Sequence, residues 1–258
     1  MSYPLPNFSI NLTGQVAIVT GASAGLGRRF AKVIAVAGAH VALIARREDR
    51  LEELAHEIRS SGGIAKSFPA DIVDAERLNA VIDDIVSTMG TPQILINNAG
   101  TPDAARAIGL TLDVIDKVID TNLRAPFILS CEVARRLIKE KLPGRIVNIS
   151  SSAAYLYKGN GSALYSITKA GLSRMVEALS VEWARHHINV TGIAPGAFSS
   201  EMMDGMLERM GPDLIDAYPR KRIGDPAHLD STLLYLLSPS SEFVTGTIVH
   251  VDDGQILR

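Results

Sequence analysis

Short runs of aliphatic and β-branched residues alternate with long helical stretches from one end of this 258-residue chain to the other. Residues 16–20, 40–45, 65–70, 94–97, 145–150, 189–193 and 247–251 read as seven strands. Most lack the polar alternation of a half-exposed strand, so both faces of their sheet must be covered. Amphipathic stretches such as 48–60, 75–89 and 165–186 lie between them and supply the cover. This alternation predicts an α/β fold with a doubly wound parallel sheet of about seven strands and helices on both faces. No low-complexity linker or internal repeat divides the chain, and its length suits one large domain. Residues 1–13 read as a loose lead-in and 14–258 as the single domain. The stretch 197–222 is longer than an ordinary connection, and reads as a lid over a substrate.

The overall balance excludes several classes of function. The net charge of −2 gives no basic field for nucleic acid or an anionic membrane surface. No apolar run approaches the roughly 20 residues of a membrane span, and the first residues lack the pattern of a secretory signal. With a single cysteine, Cys131, there is no intrachain disulfide framework. The expected location is therefore cytoplasmic. Cys131 sits in an apolar helical stretch and reads as a buried structural thiol. The adjacent His186 and His187 lack carboxylate or cysteine partners and read as a helix cap, so no metal site is expected.

The first strand runs through Thr20-Gly21-Ala22-Ser23-Ala24-Gly25-Leu26-Gly27 straight into a helix. Glycines let the backbone turn sharply and approach a pyrophosphate, whose charge then meets the helix N-terminus. A tight turn of this kind after the first strand of a βαβ unit marks a dinucleotide site in a Rossmann-type domain. Its spacing is G-x-x-x-G-x-G rather than G-x-G-x-x-G. Tyr165 and Lys169 stand four apart on one helix and share a face. A phenol titrates near about 10, and a neighbouring ammonium favours the phenolate. The pair is thus a candidate acid–base group, with its pKa expected to be lowered by Lys169.

These features, with Asn97-Asn98-Ala99-Gly100, Asn122, the serine run Ser150-Ser151-Ser152 and Pro195-Gly196 in the same order, make the chain resemble the short-chain dehydrogenase/reductase family. The resemblance spans about residues 12 to 254 and implies hydride exchange between a nicotinamide dinucleotide and a carbonyl or secondary alcohol. It assigns proton transfer to Tyr165, ribose contact and charge to Lys169, and a water-holding backbone to Asn122. Orientation of the carbonyl falls to a serine. Strand register selects Ser151, whereas counting back the family's usual spacing from Tyr165 selects Ser152; both stay candidates.

The same resemblance distributes the cofactor contacts. Gly21, Ser23, Gly25, Leu26 and Gly27 would carry the pyrophosphate turn, Asp71 and Ile72 the adenine, and Asn98, Ala99 and Gly100 the adenosine ribose. Ile149 would lie beneath the nicotinamide, with Tyr165, Lys169, Pro195, Gly196, Phe198 and Ser200 around it. The second strand ends at Ala45-Arg46-Arg47 with no carboxylate for a ribose 2′-hydroxyl. Arg46, with Arg47, favours the 2′-phosphate of NADP(H), with NAD(H) the alternative. Four methionines in the lid (Met202, Met203, Met206 and Met210) fit either an adaptable pocket or a buried seam. With Tyr155, Leu156 and Tyr157 they point to a small, fairly apolar carbonyl or alcohol. Acyl-carrier-protein reductases are similar in overall pattern, but Pro143 and His186 stand where those enzymes use arginine. A 3-oxoacyl thioester or an NAD-linked sugar-acid or polyol reaction remains the alternative, with a non-catalytic dinucleotide sensor beyond it. The resemblance also implies a homo-oligomer, dimer or tetramer. Asp253 replaces a glycine common in the family, with no functional account from sequence.

Overall fold

In the computed structural model, residues 10–157, 159 and 161–256 are described. Most of the expected lead-in, residues 1–9, lies outside them. Its last part is not loose: Leu12 is fully buried, and its amide donates to Ala37 O at 2.8 Å.

Among the described residues one sheet is formed by β1 (Val16–Thr20), β2 (His40–Ala45), β3 (Ile64–Pro69), β4 (Pro92–Asn97), β5 (Gly144–Ile149), β6 (Ile188–Pro195) and β7 (Ile248–Val251). The order is β3-β2-β1-β4-β5-β6-β7, with every pairing parallel. Five strands begin or end one or two residues away from the expected bounds, because pairing with neighbours rather than local composition sets where a strand stops. The helices are α1 (Gly25–Val36), α2 (Glu48–Ser60), α3 (Ala75–Met89), α4 (Leu112–Ile119), α5 (Ala125–Glu140), α6 (Ala163–Trp183), α7 (Glu201–Met210) and α8 (Asp230–Leu237).

Side chains alternate across each strand, so each central strand feeds two cores. Ala17, Val19, Val41 and Leu43 pack with Phe30 and Ile34 of α1, Leu51 and Leu54 of α2, and Leu233 of α8. Ile18, Ala42, Ile44 and Leu95 pack with Ile82 of α3, Leu129 and Val133 of α5, and Val176 of α6 on the other face. Strand order reverses between β1 and β4, which opens a crevice at their C-terminal ends, the usual ligand position in such sheets.

Two parts of the chain gain detail here. The stretch 197–222 holds α7 and a 3-10 turn at Pro212–Ala217. Asp253 also gains a role, since its backbone is left-handed (φ 54°) and its carboxylate pairs with Arg222 at 2.7 Å and Arg220 at 3.2 Å. Those arginines are thereby tied to the segment that follows β7.

Candidate active site

The turn after β1 exists because nothing larger than glycine fits. Gly21 has φ +67°, and a Cβ there would stand 2.9 Å from Ala99 Cα. A Cβ on Gly27 would come within 2.3 Å of Gly21 O, so that glycine serves the packing of α1 on the turn. Thr20, at the end of β1, stitches the turn to β4. Its hydroxyl accepts from the amides of Asn98 (3.0 Å) and Ala99 (3.1 Å), while Asn98 Nδ2 donates back to Thr20 O at 2.9 Å. The N-cap of α1, Ala24, offers no side-chain oxygen and the first turn holds no acidic residue, so the helix end presents its amides to an anion.

The turn opens into a cleft of about 850 Å³. Gly21, Ser23, Gly25, Leu26, Arg46, Arg47, Asp71, Ile72, Asn98, Ala99 and Gly100 line one part. Ile149, Ser151, Ser152, Tyr165, Lys169, Pro195, Gly196, Phe198 and Ser200 line another. Gly27 and Asn122, both expected at the site, are not on the wall. A chain of glycines at one end, amides at a helix N-terminus and arginines past β2 fit the pyrophosphate and ribose of a dinucleotide.

The reacting groups come from β5 and α6. The Ser150 hydroxyl donates to Lys169 O at 3.0 Å and accepts from the Ser173 hydroxyl at 2.8 Å, fastening α6 to the end of β5. Ser151, in extended backbone, lies beside the Tyr165 phenol, whose pKa it lowers, and accepts from the Ala153 amide at 3.1 Å. Ser152 opens a 3-10 turn and has no such effect on Tyr165. Lys169, 3% exposed, places Nζ 2.7 Å from Ile149 O and 5.7 Å from the centre of the Tyr165 ring.

Electrostatics departs from expectation. Desolvation brings Lys169 down from 10.5 to about 8. Tyr165 is raised rather than lowered, first by desolvation and also by the charge of Asp103, against a lowering hydrogen bond from Ser151. The ammonium is near the ring but does not outweigh burial.

Sequence reasoning missed Asp103. Its buried carboxylate accepts from the amides of Leu164 (2.9 Å) and Tyr165 (3.3 Å). It thus caps α6 from a distance, where the local N-cap, Ser162, makes no side-chain bond. Asn122 lies in a π turn at Asp120–Arg124, between α4 and α5. Its side chain is consumed in clamping Thr101: Oδ1 accepts from Thr101 N at 2.8 Å, and Nδ2 donates to Thr101 O (2.9 Å) and Thr168 Oγ1 (3.2 Å). Gln255 was also missed; its Oε1 accepts from Ala197 N at 2.8 Å and holds the segment after β6.

Other expected residues separate. Arg46 is exposed and only 3.8 Å from Asp71, whereas Arg47 donates through Nε and Nη2 to Ser23 Oγ, both at 3.2 Å, and so reaches the glycine turn. Ser200 is largely engaged as the cap of α7, accepting from Met203 N at 3.2 Å. Met202, Met203 and Met206 line the cleft with Leu156 and Tyr157, but Met210 does not. Tyr155 instead packs edge-on against His250 of β7, ring centres 4.4 Å apart. His187 ends the helical turn after α6 through left-handed backbone (φ 56°), while His186 Nε2 accepts from Arg185, so they terminate a helix as expected. Cys131 is only partly buried, with a raised pKa from desolvation. Among the described residues there is no cluster of metal-ligating side chains, and no helix long and apolar enough to cross a membrane.

The fold and this site together define a dinucleotide-dependent oxidoreductase, and comparison with known proteins agrees. The short chain dehydrogenase family profile matches residues 15–210. The 3-oxoacyl-[acyl-carrier-protein] reductase of Rickettsia conorii is 33% identical, over 96% of this chain and 99% of its own. Among solved structures, a putative NAD(P)-dependent gluconate 5-dehydrogenase from Beutenbergia cavernae with bound NADP is 30% identical, with a TM-score of 0.89 over 96% of this chain and 99% of its own. A gluconate 5-dehydrogenase from Burkholderia cenocepacia in complex with NADP and tartrate is 29% identical, with a TM-score of 0.89 over 95% and 96%. The chain belongs to the short-chain dehydrogenase family. It is an oxidoreductase that uses a nicotinamide dinucleotide to interconvert carbonyl and alcohol groups.

Proposed function

We propose that this chain is an NADP(H)-preferring carbonyl reductase, reversible toward the secondary alcohol, with Tyr165 as proton donor and Ser151 as the group that orients the carbonyl. The observation that carries this reading is that Ser151 and Tyr165 line the same cleft as the glycine turn, with Lys169 Nζ 5.7 Å from the centre of the Tyr165 ring. When bound, the dinucleotide supplies or takes up the hydride. Tyr165 gives its proton to the carbonyl oxygen in reduction and recovers it in oxidation. Burial keeps the phenol protonated at neutral pH, so the free site is set to donate. The Lys169 ammonium, still mostly protonated at pH 7, stabilises the phenolate left behind. Ser151 donates to the same substrate oxygen. Asn122 acts through its backbone, since its amide is occupied.

Two arginines at the end of β2, and NADP bound in the two related dehydrogenases, support the phosphorylated cofactor. Leu156, Tyr157, Met203, Leu214 and Tyr218 at the substrate end support an apolar body on the substrate. A second reading rests on Lys117 and Arg209, which line the cleft and pair with no carboxylate among the described residues. They suit an anionic group, as on a sugar acid or the phosphate of an acyl-thioester carrier arm. A homo-oligomer is part of the proposal, on the exposed apolar residues of α5 and α6.

The test is dinucleotide oxidation against ketones, 3-oxoacyl thioesters and keto sugar acids, with NADPH and NADH. NADPH should be favoured by about ten- to a hundredfold in kcat/KM, the effect of a charge-assisted pair of about 1.5–3 kcal/mol. Tyr165→Phe and Ser151→Ala should lose at least ~10²-fold in kcat with dinucleotide still bound, and Ser152→Ala should keep most activity. Near-normal turnover in Tyr165→Phe would sink the mechanism, and a larger loss at Ser152 than at Ser151 would reassign the serine.

A further inference from the structure

The first residue of α7 makes contacts that a lid helix does not require. Glu201 Oε1 lies 2.7 Å from Arg50 Nη1 and 3.2 Å from Arg47 Nη1. Arg47 in turn holds Ser23 of the glycine turn, and Glu201, Arg47, Arg46 and Ser23 all line the dinucleotide cleft. A carboxylate in the first turn of a helix is favoured by the helix N-terminus. That explains why an acidic residue stands there. It does not explain why Arg47, just before α2, and Arg50, in its first turn, some 150 residues earlier, converge on one of its oxygens.

We propose that Glu201 is a specificity-determining residue for the cofactor: an internal anion that occupies Arg47, one of the arginines a ribose 2′-phosphate would take. This rests on the proposed reading that the adenosine ribose lies at the end of β2. A 2′-phosphate carries the same charge sign and the same acceptor chemistry as the carboxylate, so the two compete for Arg47, which lines the cleft. A 2′-hydroxyl has no charge with which to compete. Glu201 therefore lowers the preference for the phosphorylated cofactor below what the arginines alone would give. It acts through those arginines without touching the reacting atoms. The side chain is 57% exposed, so the effect is moderate and weakens with salt.

The experiment uses adenosine 2′,5′-bisphosphate and adenosine 5′-monophosphate as probes, titrated calorimetrically into the whole protein, so that turnover does not enter. Glu201→Gln keeps the size and an acceptor oxygen but removes the charge. It should tighten the bisphosphate about three- to tenfold and leave the monophosphate unchanged. Arg47→Ala should loosen the bisphosphate, and adding Glu201→Gln to it should recover much less than in the parent. A bisphosphate-to-monophosphate ratio unmoved by Glu201→Gln would overturn the proposal, as would equal loosening of both probes, the mark of a residue that only seats α7. A parent that does not favour the bisphosphate defeats the NADP preference separately. Even then, a preference appearing on Glu201→Gln supports the internal anion, and its failure to appear overturns it.

Discussion

Lys169 shows how far a single residue is shaped by the fold around it. Its spacing from Tyr165 was legible, because four residues is one helical turn. Its burial was not, since that depends on β5 and the segment after β4 closing over it; a Cβ on Gly100 would stand 3.5 Å from Nζ. Holding this ammonium out of water has a measurable consequence. In the unfolded chain Lys169 titrates near 10.5, and in the fold near 8. Between those values the unfolded chain binds a proton that the fold does not, so stability must rise with pH across that window. The whole effect is about 3 kcal/mol, from 1.36 kcal/mol per pKa unit. Lys169→Met should therefore be more stable than the parent at pH 7 by about that amount and converge with it above pH 10.5, in urea unfolding followed from pH 7 to 11. Parallel curves for the two proteins would show that the charge is not held at a cost. Such a cost is typical of functional sites, where stability yields to chemistry. Asp103 illustrates the opposite limit of legibility: it caps a helix some sixty residues further on, and no local pattern marks a residue for so distant a partner.

At the scale of elements, periodicity carried the reading where packing is regular. The bounds of α2 and α3 coincide with those read from apolar spacing, because each buries one stripe: Leu51, Leu54, Ala55 and Ile58 in α2, and Leu78, Val81, Ile82 and Ile85 in α3. The π turn at Asp120–Arg124 escaped notice, since one extra residue per turn leaves the surrounding apolar pattern nearly intact. Helix α7 escaped as well. It is short, contains Gly205 and stops at Gly211-Pro212, all of which argue against a helix in sequence. What forms it is the Ser200 cap, Met203 in the cleft wall and the pairing of Glu201 with α2-side arginines. These ties are few beside the core contacts of α6. The amides of 201–218 should thus exchange with solvent faster than those of β1 and β5 in the free protein, and slow when dinucleotide and substrate bind together. Hydrogen exchange by mass spectrometry measures both; equal protection in the two states would mean that α7 is a fixed wall and not a lid.

For the molecule as a whole, the sheet and its two cores account for the apolar residues that face inward, and α6 has more than they use. Leu172, Met175, Val176, Leu179 and Trp183 bury its inner face. Ile167 and Val181 stand outside, 65% and 79% exposed, and Phe127 and Ile138 are exposed on α5. Isolated apolar residues on a surface need no explanation. Two adjoining long helices that each carry them do, because a helix apolar on both sides is normally covered on both. A second copy of the chain is the simplest cover, since a two-fold axis sets the same helices against each other. Light scattering should then give a particle of at least twice the 27.6 kDa chain mass at micromolar concentration. Placing a charge in the middle of such a contact is costly, because it is buried without a partner. Val181→Glu together with Phe127→Glu should shift the protein to a single chain, while the far-ultraviolet dichroism stays that of the parent. Neither position lines the cleft, so dinucleotide affinity should fall less than assembly does. A parent that already elutes as one chain would leave α6 as the outer wall of a monomer.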